Sequence, residues 1–286
     1  MARTMAKGEM PKSWSSFSVD VIREVTRRWP IAAGKDLPTH FGAFAARVGL
    51  LKPVWYEFQP GLQMCLNIRD LIHQTILIEG LWDPQLTSFV KERLHPGAVF
   101  VDIGAHSGYF SLLAANLVGP AGIVLAVEPS PKAILELKRN IEVSKLNNVI
   151  VEGVACGDAS GPTFLYLHDD SNSSMSSLSS KNVAGEKVSV QCLGLDTLVE
   201  KHALPKVDLI KIDVEGAELG VLRSGKRTIQ QQLPTIVMEL DPVLLQGFDS
   251  KLEDVLSLLS EMNYEVTALG GHNNFVCQPK TGQGLG

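Results

Sequence analysis

The stretch Val99-Phe100-Val101-Asp102-Ile103-Gly104-Ala105-His106-Ser107-Gly108 decides how the rest of the chain reads. A short apolar run bounded by glycines reads as a buried strand, and residues 109–117 after it have the composition of a helix. Strand, tight loop and helix in that order form the opening unit of an open α/β sheet. Ligands of such sheets lie beyond the carboxyl ends of the strands. Glycines in the loop let the backbone turn and approach a neighbour without a Cβ in the way.

The same rhythm continues downstream. Residues 122–127 read as a second strand, followed by a helix with Ser130 as its cap and Pro131 at its first position. Residues 149–154, 207–212 and 235–240 read as further strands, with helices at about 218–232 and 250–262, and residues 264–269 and 274–277 close the series. Alternation of this kind predicts an α/β fold, a mostly parallel sheet with helices on both faces. One insertion interrupts it. Residues 163–167 and 188–193 read as strands flanking Ser171-Asn172-Ser173-Ser174-Met175-Ser176-Ser177, which suits a polar linker or a substrate-side loop equally.

Upstream, Val19, Ile22, Val25 and Trp29 recur at helical spacing before Pro30. Phe41, Phe44, Ala45 and Val48 mark a second helix. Residues 1–52 are therefore expected to be a helical extension. Residues 53–94 read as a cap or lead-in, with a hairpin around Pro60-Gly61 and two helical pieces broken at Trp82-Asp83-Pro84. Residues 95–280 form the ligand-binding domain.

The chain has 286 residues, is 45% hydrophobic and carries a net charge of −5. That balance argues against a nucleic-acid partner, which needs a cationic surface. Four cysteines without a C-x-x-C pair read as reduced thiols of a cytoplasmic protein, and no metal site is expected. Neither a membrane span nor a secretory h-region is visible. A homo-oligomer is compatible with the sequence.

The loop bears Gly104 and Gly108 with His106 at the middle position of a dinucleotide motif, and no third glycine stands where close helix packing would need it, a spacing that suits a cofactor without a pyrophosphate. Glu128-Pro129 follows about twenty residues later, where a carboxylate accepts from both hydroxyls of a ribose. Lys211-Ile212-Asp213-Val214-Glu215-Gly216-Ala217-Glu218 brings three acidic residues to the same rim. Glu218, with Glu215, suits a helix N-terminus, while Asp213 points to the cleft. Glu239 and Asp241 lie nearby, and a carboxylate pair there is also compatible with a divalent ion.

Asp102-Ile103-Gly104-Ala105-x-x-Gly108-Tyr109, Glu128-Pro129 and Ile210–Glu218 together resemble the FkbM-type methyltransferase family. The likeness takes in Gly153–Asp158 and the segment through Glu239, so it spans roughly residues 80–280. It implies a Rossmann-like class I fold with a seven-stranded, mostly parallel sheet. It implies S-adenosyl-L-methionine as cofactor, bound by residues 95–280, and O-methylation of a hydroxyl on a sugar, glycan or natural-product small molecule. His106-Ser107 departs from the Asn-x pair of the family loop.

Carried over, Gly104, Ala105 and Gly108 pass under the methionine and ribose, and Asp102 orders the loop. Glu128 binds the ribose hydroxyls, Pro129 and Ser130 flank the adenine, and Val154-Ala155 border its other side, with Asp158 a weaker partner. Asp213 lies near the sulfonium or the acceptor, and His106 lines the methionine end. A hydroxyl acceptor calls for a general base. Asp213, Glu215 and His106 are the catalytic candidates, followed by His272 and the more remote His73. Two other readings compete: an NAD-dependent oxidoreductase, disfavoured by the missing glycine, and a non-catalytic S-adenosylmethionine-binding protein.

Overall fold

The computed structural model describes residues 53–67, 69–168, 176–183, 185–271 and 273–280. The two helices expected within residues 1–52, most of the serine-rich run and His272 lie outside the described residues.

The chain enters through an antiparallel hairpin, β1 (Val54–Gln59) and β2 (Leu62–Leu66), and two helices, α1 (Leu71–Glu79) and α2 (Pro84–Arg93). Then come β3 (Val99–Ile103), α3 (Tyr109–Val118), β4 (Ile123–Val127), α4 (Pro131–Val143) and β5 (Val149–Glu152). An inserted layer follows: β6 (Ala155–Cys156), β7 (Gly161–Tyr166) and β8 (Lys187–Leu193), with α5 (Leu195–Lys201) after it. The alternation resumes with β9 (Leu209–Ile212), α6 (Glu218–Ser224), α7 (Lys226–Gln232), β10 (Thr235–Glu239), α8 (Pro242–Gln246) and α9 (Leu252–Glu261). It closes with β11 (Tyr264–Gly270) and β12 (Asn274–Pro279).

The main sheet has seven strands in the order β11-β12-β10-β9-β3-β4-β5. β10, β9, β3, β4 and β5 are parallel, while β12 runs antiparallel to β10 and to β11. Strands buried on both faces need apolar residues at nearly every position, and all five residues of β3 are buried. Side-chain alternation divides them. Phe100 packs with the hairpin residues Phe58, Leu62 and Met64 and with Phe89 of α2. Val101 and Ile103 face Leu198, Leu222 and Leu259 of α5, α6 and α9. Residues 53–94 thus share a core with the sheet. Among the described residues no helix is long and apolar enough to cross a membrane.

Two expected elements are divided. The helix at about 218–232 breaks at Gly225, where a Cβ would overlap the Leu195 side chain of α5. The strand expected over 149–154 ends at Glu152, and Ala155–Cys156 pair instead with Cys192–Leu193 in a separate three-stranded sheet of order β6-β8-β7.

Candidate functional site

From β3 the chain winds outward through β4 to β5, then returns on the other side of β3 as β9 and β10. The order therefore reverses between β3 and β9, where open sheets form a ligand crevice. A cavity of about 280 Å³ opens there. At one side it is bounded by Glu128, Pro129, Val154, Ala155 and Cys156 from the ends of β4 to β6, and at the other by Asp213, Glu215, Glu239 and Asp241 from β9 and β10.

The loop after β3 is fixed to its neighbours by backbone bonds. Gly104 N–H and Ala105 N–H both donate to the Val127 carbonyl, at 2.9 and 3.1 Å, and Asp213 N–H donates to the Ile103 carbonyl at 3.0 Å. Gly104 has φ 83°, and a Cβ there would fall inside the Asp213 carbonyl oxygen. Glycine is required because β3 and β9 close on each other at this point. Gly108 (φ 97°) precedes α3, and a Cβ there would overlap Leu137 of α4.

Glu128 is buried. Its Oε2 accepts from His106 N–H at 2.8 Å, and its Oε1 from Ser130 N–H at 2.8 Å. Burial pushes this carboxyl up to about 7 against the pull of those two donors. Each oxygen has a further acceptor site, and Glu128 lines the cavity.

The loop is also held from the cap. Asn67 N–H donates to His73 Nδ1 at 3.1 Å, so the His73 proton resides on Nε2, 2.8 Å from Ser107 Oγ. Ser107 Oγ is in turn 3.3 Å from His106 Nδ1. Burial drives both imidazoles below their ordinary range and favours their neutral forms. Asn140 of α4 ties the same loop down, donating from Nδ2 to the Ser107 carbonyl at 2.9 Å while its Oδ1 accepts from Cys65 N–H of β2.

Beneath the loop lies the residue that motif reading left without a role. In the β3–β9 register Asp102 stands opposite Lys211, which puts both side chains on one face. Lys211 Nζ is 3.5 Å from Asp102 Oδ1, 3.1 Å from Asp213 Oδ2 and 3.2 Å from the Gly104 carbonyl. Burial alone would push this ammonium down, but Asp213 and Asp102 outweigh it and hold it above the lysine range. Asp102 is fully buried and its carboxyl is raised by burial, with Lys211 and the Ser111 hydroxyl, 2.6 Å from Oδ2, opposing.

The acidic rim has its own geometry. Glu215 adopts φ 53°, and Gly216, at φ 104°, abuts the Leu244 carbonyl so closely that a Cβ would overlap it. Glu218 Oε1 accepts from Val214 N–H at 3.3 Å and Gly216 N–H at 3.1 Å, and burial raises its carboxyl to about 7. Glu215 and Glu239 are raised well above the carboxylate range, first by burial and then by the nearby Asp213. Asp83 (φ 37°), His106 (φ 48°) and Glu215 are non-glycine residues in left-handed conformation, and all three line the cavity. Each such residue costs on the order of 1–3 kcal/mol, and surrounding structure must impose it.

Of the residues expected to touch a cofactor, Gly104, His106, Glu128, Pro129, Ala155 and Asp213 line the cavity, as does Glu215. Asp102, Ala105, Gly108 and Ser130 stand behind it as buried supports. Asp158 lies outside the lining and sits 3.7 Å from Arg223. Trp82 and Asp83 of the cap, Leu165, Ser176 and Leu178 of the insertion and Asn274 of β12 complete the wall. Asp83 stands in the expected break between the two helical pieces, and its Oδ1 caps α2. Its second oxygen accepts from Asn274 Nδ2 at 2.7 Å, a long-range contact that no local pattern announces.

The donor set suits a cationic nucleoside. Six carboxylates, Asp83, Glu128, Asp213, Glu215, Glu239 and Asp241, line the cavity, with no lysine or arginine among the described lining residues. Val127, Val154, Leu165 and Leu178 add apolar side chains to the lining. Among the described residues, no three His, Cys, Asp or Glu side chains are grouped as metal ligands.

The family model for the methyltransferase FkbM domain matches residues 102–266. Methyltransferase 1 of Beauveria bassiana is 29% identical over 189 residues, 60% of this chain and 73% of that protein. The hexuronic acid methyltransferase AglP of Haloferax volcanii is 28% identical over 208 residues, 70% of this chain and 80% of that protein. The 31-O-demethyl-FK506 methyltransferase FkbM of Streptomyces tacrolimicus is 24% identical over 205 residues, 62% of this chain and 76% of that protein.

Proposed function

The chain belongs to the FkbM methyltransferase family, and we propose that it carries a methyl group from S-adenosylmethionine to a hydroxyl of a sugar, glycan or natural-product small molecule. The observation that carries this reading is the acidic rim, which sets Asp213 and Glu215 beside Glu239 and Asp241 at one end of the cavity and Glu128 at the other. Two relatives point the same way, since one is named for hexuronic acid and another for an O-demethylated natural product.

In this reading the free acceptor sites of Glu128 receive the ribose hydroxyls, and Pro129 and Ala155 flank the adenine. Gly104 and His106 border the methionine portion, while Asp102, Ala105, Gly108 and Ser130 hold those walls in place. Residues 53–94 serve as the cap of the methyltransferase domain at 95–280. The cofactor, when bound, supplies a methyl group already activated by its sulfonium. What remains for the protein is to align the acceptor oxygen, exclude water and take its proton.

Asp213 is assigned that proton. Its Oδ2 is held by Lys211 at 3.1 Å, which fixes the carboxylate and leaves Oδ1 for the acceptor. Glu215 and Glu239, raised by burial and by Asp213, are placed to hydrogen-bond further hydroxyls of the acceptor.

The test is a screen of hydroxylated acceptors with methyl-labelled cofactor, run beside amine analogues. Label on a hydroxyl, reduced roughly 10²–10⁴-fold in Asp213→Asn, is the expected result. Label on amines alone would overturn O-methylation.

A further inference from the structure

The inserted layer between β5 and α5 is not a passive linker where it is described. Ser177 N–H and Tyr166 N–H exchange bonds with each other's carbonyls, turning residues 176–183 back over the carboxyl end of the main sheet. Three side chains of this segment then bond backbone carbonyls of the loop after β9, of α8 and of its C-terminal end. Ser177 Oγ donates to the Glu215 carbonyl at 3.0 Å, and Ser179 Oγ donates to the Gly247 carbonyl at 2.6 Å. Asn182 Nδ2 donates to the Glu215 carbonyl at 3.0 Å and to the Leu244 carbonyl at 2.9 Å.

Asn182 is the joint. An amide nitrogen has two hydrogens, and here one meets a carbonyl of the loop after β9 and the other a carbonyl of α8. The amide orientation is settled by those partners, since an oxygen facing two carbonyls would have nothing to accept. Gly247 confirms the fit from the other side, because a Cβ there would overlap the Asn182 amide. Glu215 itself is in the left-handed conformation at φ 53°. Its carbonyl is bonded by both Asn182 and Ser177, so the peptide following it cannot rotate without losing two bonds. Glu215 and Leu244, whose carbonyls Asn182 bridges, both line the cavity.

We propose that Asn182 is a positioning residue, which holds the Glu215 carboxyl at the acceptor end of the cavity by bridging the Glu215 and Leu244 carbonyls. It acts through the backbone and contacts neither cofactor nor acceptor. The proposal rests on the catalytic reading of the acidic rim. The groups acting on Glu215 are Asp213 and Glu218 from the ends of its own loop and Glu239 and Asp241 from the end of β10, all carboxylates. Burial among them keeps the Glu215 carboxyl protonated far above the ordinary range. A loop released from Asn182 lets that carboxyl swing toward water.

The experiment compares wild type with Asn182→Ala and the milder Ser177→Ala, using Lys181→Ala as control. Among the described residues the Lys181 side chain forms an exposed pair with Asp249 at 2.8 Å. Glutamate labelled with ¹³C at the side-chain carboxyl reports each titration by NMR, and the Glu215 signal is assigned by its loss in Glu215→Gln. This readout needs no acceptor. In Asn182→Ala the Glu215 titration is expected to move down toward the ordinary carboxylate range, while the S-adenosylmethionine Kd from calorimetry stays within about 2-fold. With an acceptor in hand, kcat falls by up to about 100-fold, the effect of a misplacement near 1 Å, at unchanged cofactor KM. Ser177→Ala moves each readout the same way by less, and carries the test if Asn182→Ala does not fold. A folded Asn182→Ala with wild-type Glu215 titration overturns the proposal, as does a loss confined to cofactor affinity. Should Glu215→Gln itself turn over normally, the catalytic reading of Glu215 fails instead, and the NMR result still decides whether Asn182 holds its position.

Discussion

Replacing Lys211 with methionine removes the single charge that reconciles Asp102 with its burial. The side chains are of similar length, so packing against Phe110, whose ring lies 5.5 Å from Lys211 Nζ, is largely kept. What changes is electrostatic. Asp102 is fully buried, and without the ammonium at 3.5 Å its remaining side-chain support among the described residues is the Ser111 hydroxyl at 2.6 Å. Asp213, whose side chain is 34% exposed, can turn to water and contributes less. Breaking a buried pair from one side costs about 3–5 kcal/mol, which for a domain of this size lowers Tm by roughly 10 °C.

The pH dependence of that loss has a definite sign. Burial already raises the Asp102 carboxyl, and loss of the cation raises it further above its unfolded value. A carboxyl raised in the folded state gives stability that is present at low pH and lost as pH rises through the folded pKa. Lys211→Met is therefore expected to be most destabilised at neutral pH and to recover toward wild type in acid. The double variant Lys211→Met/Asp102→Asn, with no buried charge, regains most of the loss at every pH. Urea unfolding of the three proteins across pH measures this directly. A Lys211→Met protein within about 1 kcal/mol of wild type at neutral pH, or with a deficit independent of pH, refutes the pairing.

Gly104→Ala puts a methyl group into the Asp213 carbonyl and forces a residue with φ 83° out of its preferred region. It is expected to lose more than about 3 kcal/mol of stability, or to lose cofactor binding if the loop shifts instead; wild-type Tm and affinity together contradict this. Cofactor binding also carries a proton signature. Glu215 and Glu239 are raised by burial and by Asp213, and a sulfonium beside them favours their ionised forms. Calorimetry in buffers of different ionisation enthalpy should show more protons released by S-adenosylmethionine than by S-adenosylhomocysteine, and equal release would place the sulfonium elsewhere.

The strand–loop–helix unit at Val99–Gly108 was legible because its signals are local: an apolar run, glycines, then a helix. The capped start of α4 was legible for the same reason, and Ser130 Oγ indeed accepts from Ala133 N–H. Features set by distant partners were not. Gly104 and Gly108 read as clearance for a ligand, yet the space their missing Cβ atoms leave is taken by Asp213 and Leu137. Gly225 stands where two helices meet, and the side chain of Leu195, distant in sequence, takes the space beside it. Lys211 stood in the quoted motif, but its role depends on the β3–β9 register, which places it opposite Asp102. His73 is the most remote of the base candidates in the sequence, whereas the fold brings it to Ser107. The insertion was ambiguous because the anchors of Ser177, Ser179 and Asn182, the carbonyls of Glu215, Gly247 and Leu244, come from backbone that a sequence pattern does not display.

Titration of S-adenosylmethionine into wild type and Glu128→Ala bears most directly on the assignment of this cavity as the cofactor seat. Wild type should bind one equivalent, and removal of the carboxylate that anchors the loop through His106 N–H and Ser130 N–H should weaken binding by at least about 10-fold, the loss of charge-assisted hydrogen bonds. Undiminished affinity in a folded Glu128→Ala protein would mean that the nucleoside lies elsewhere.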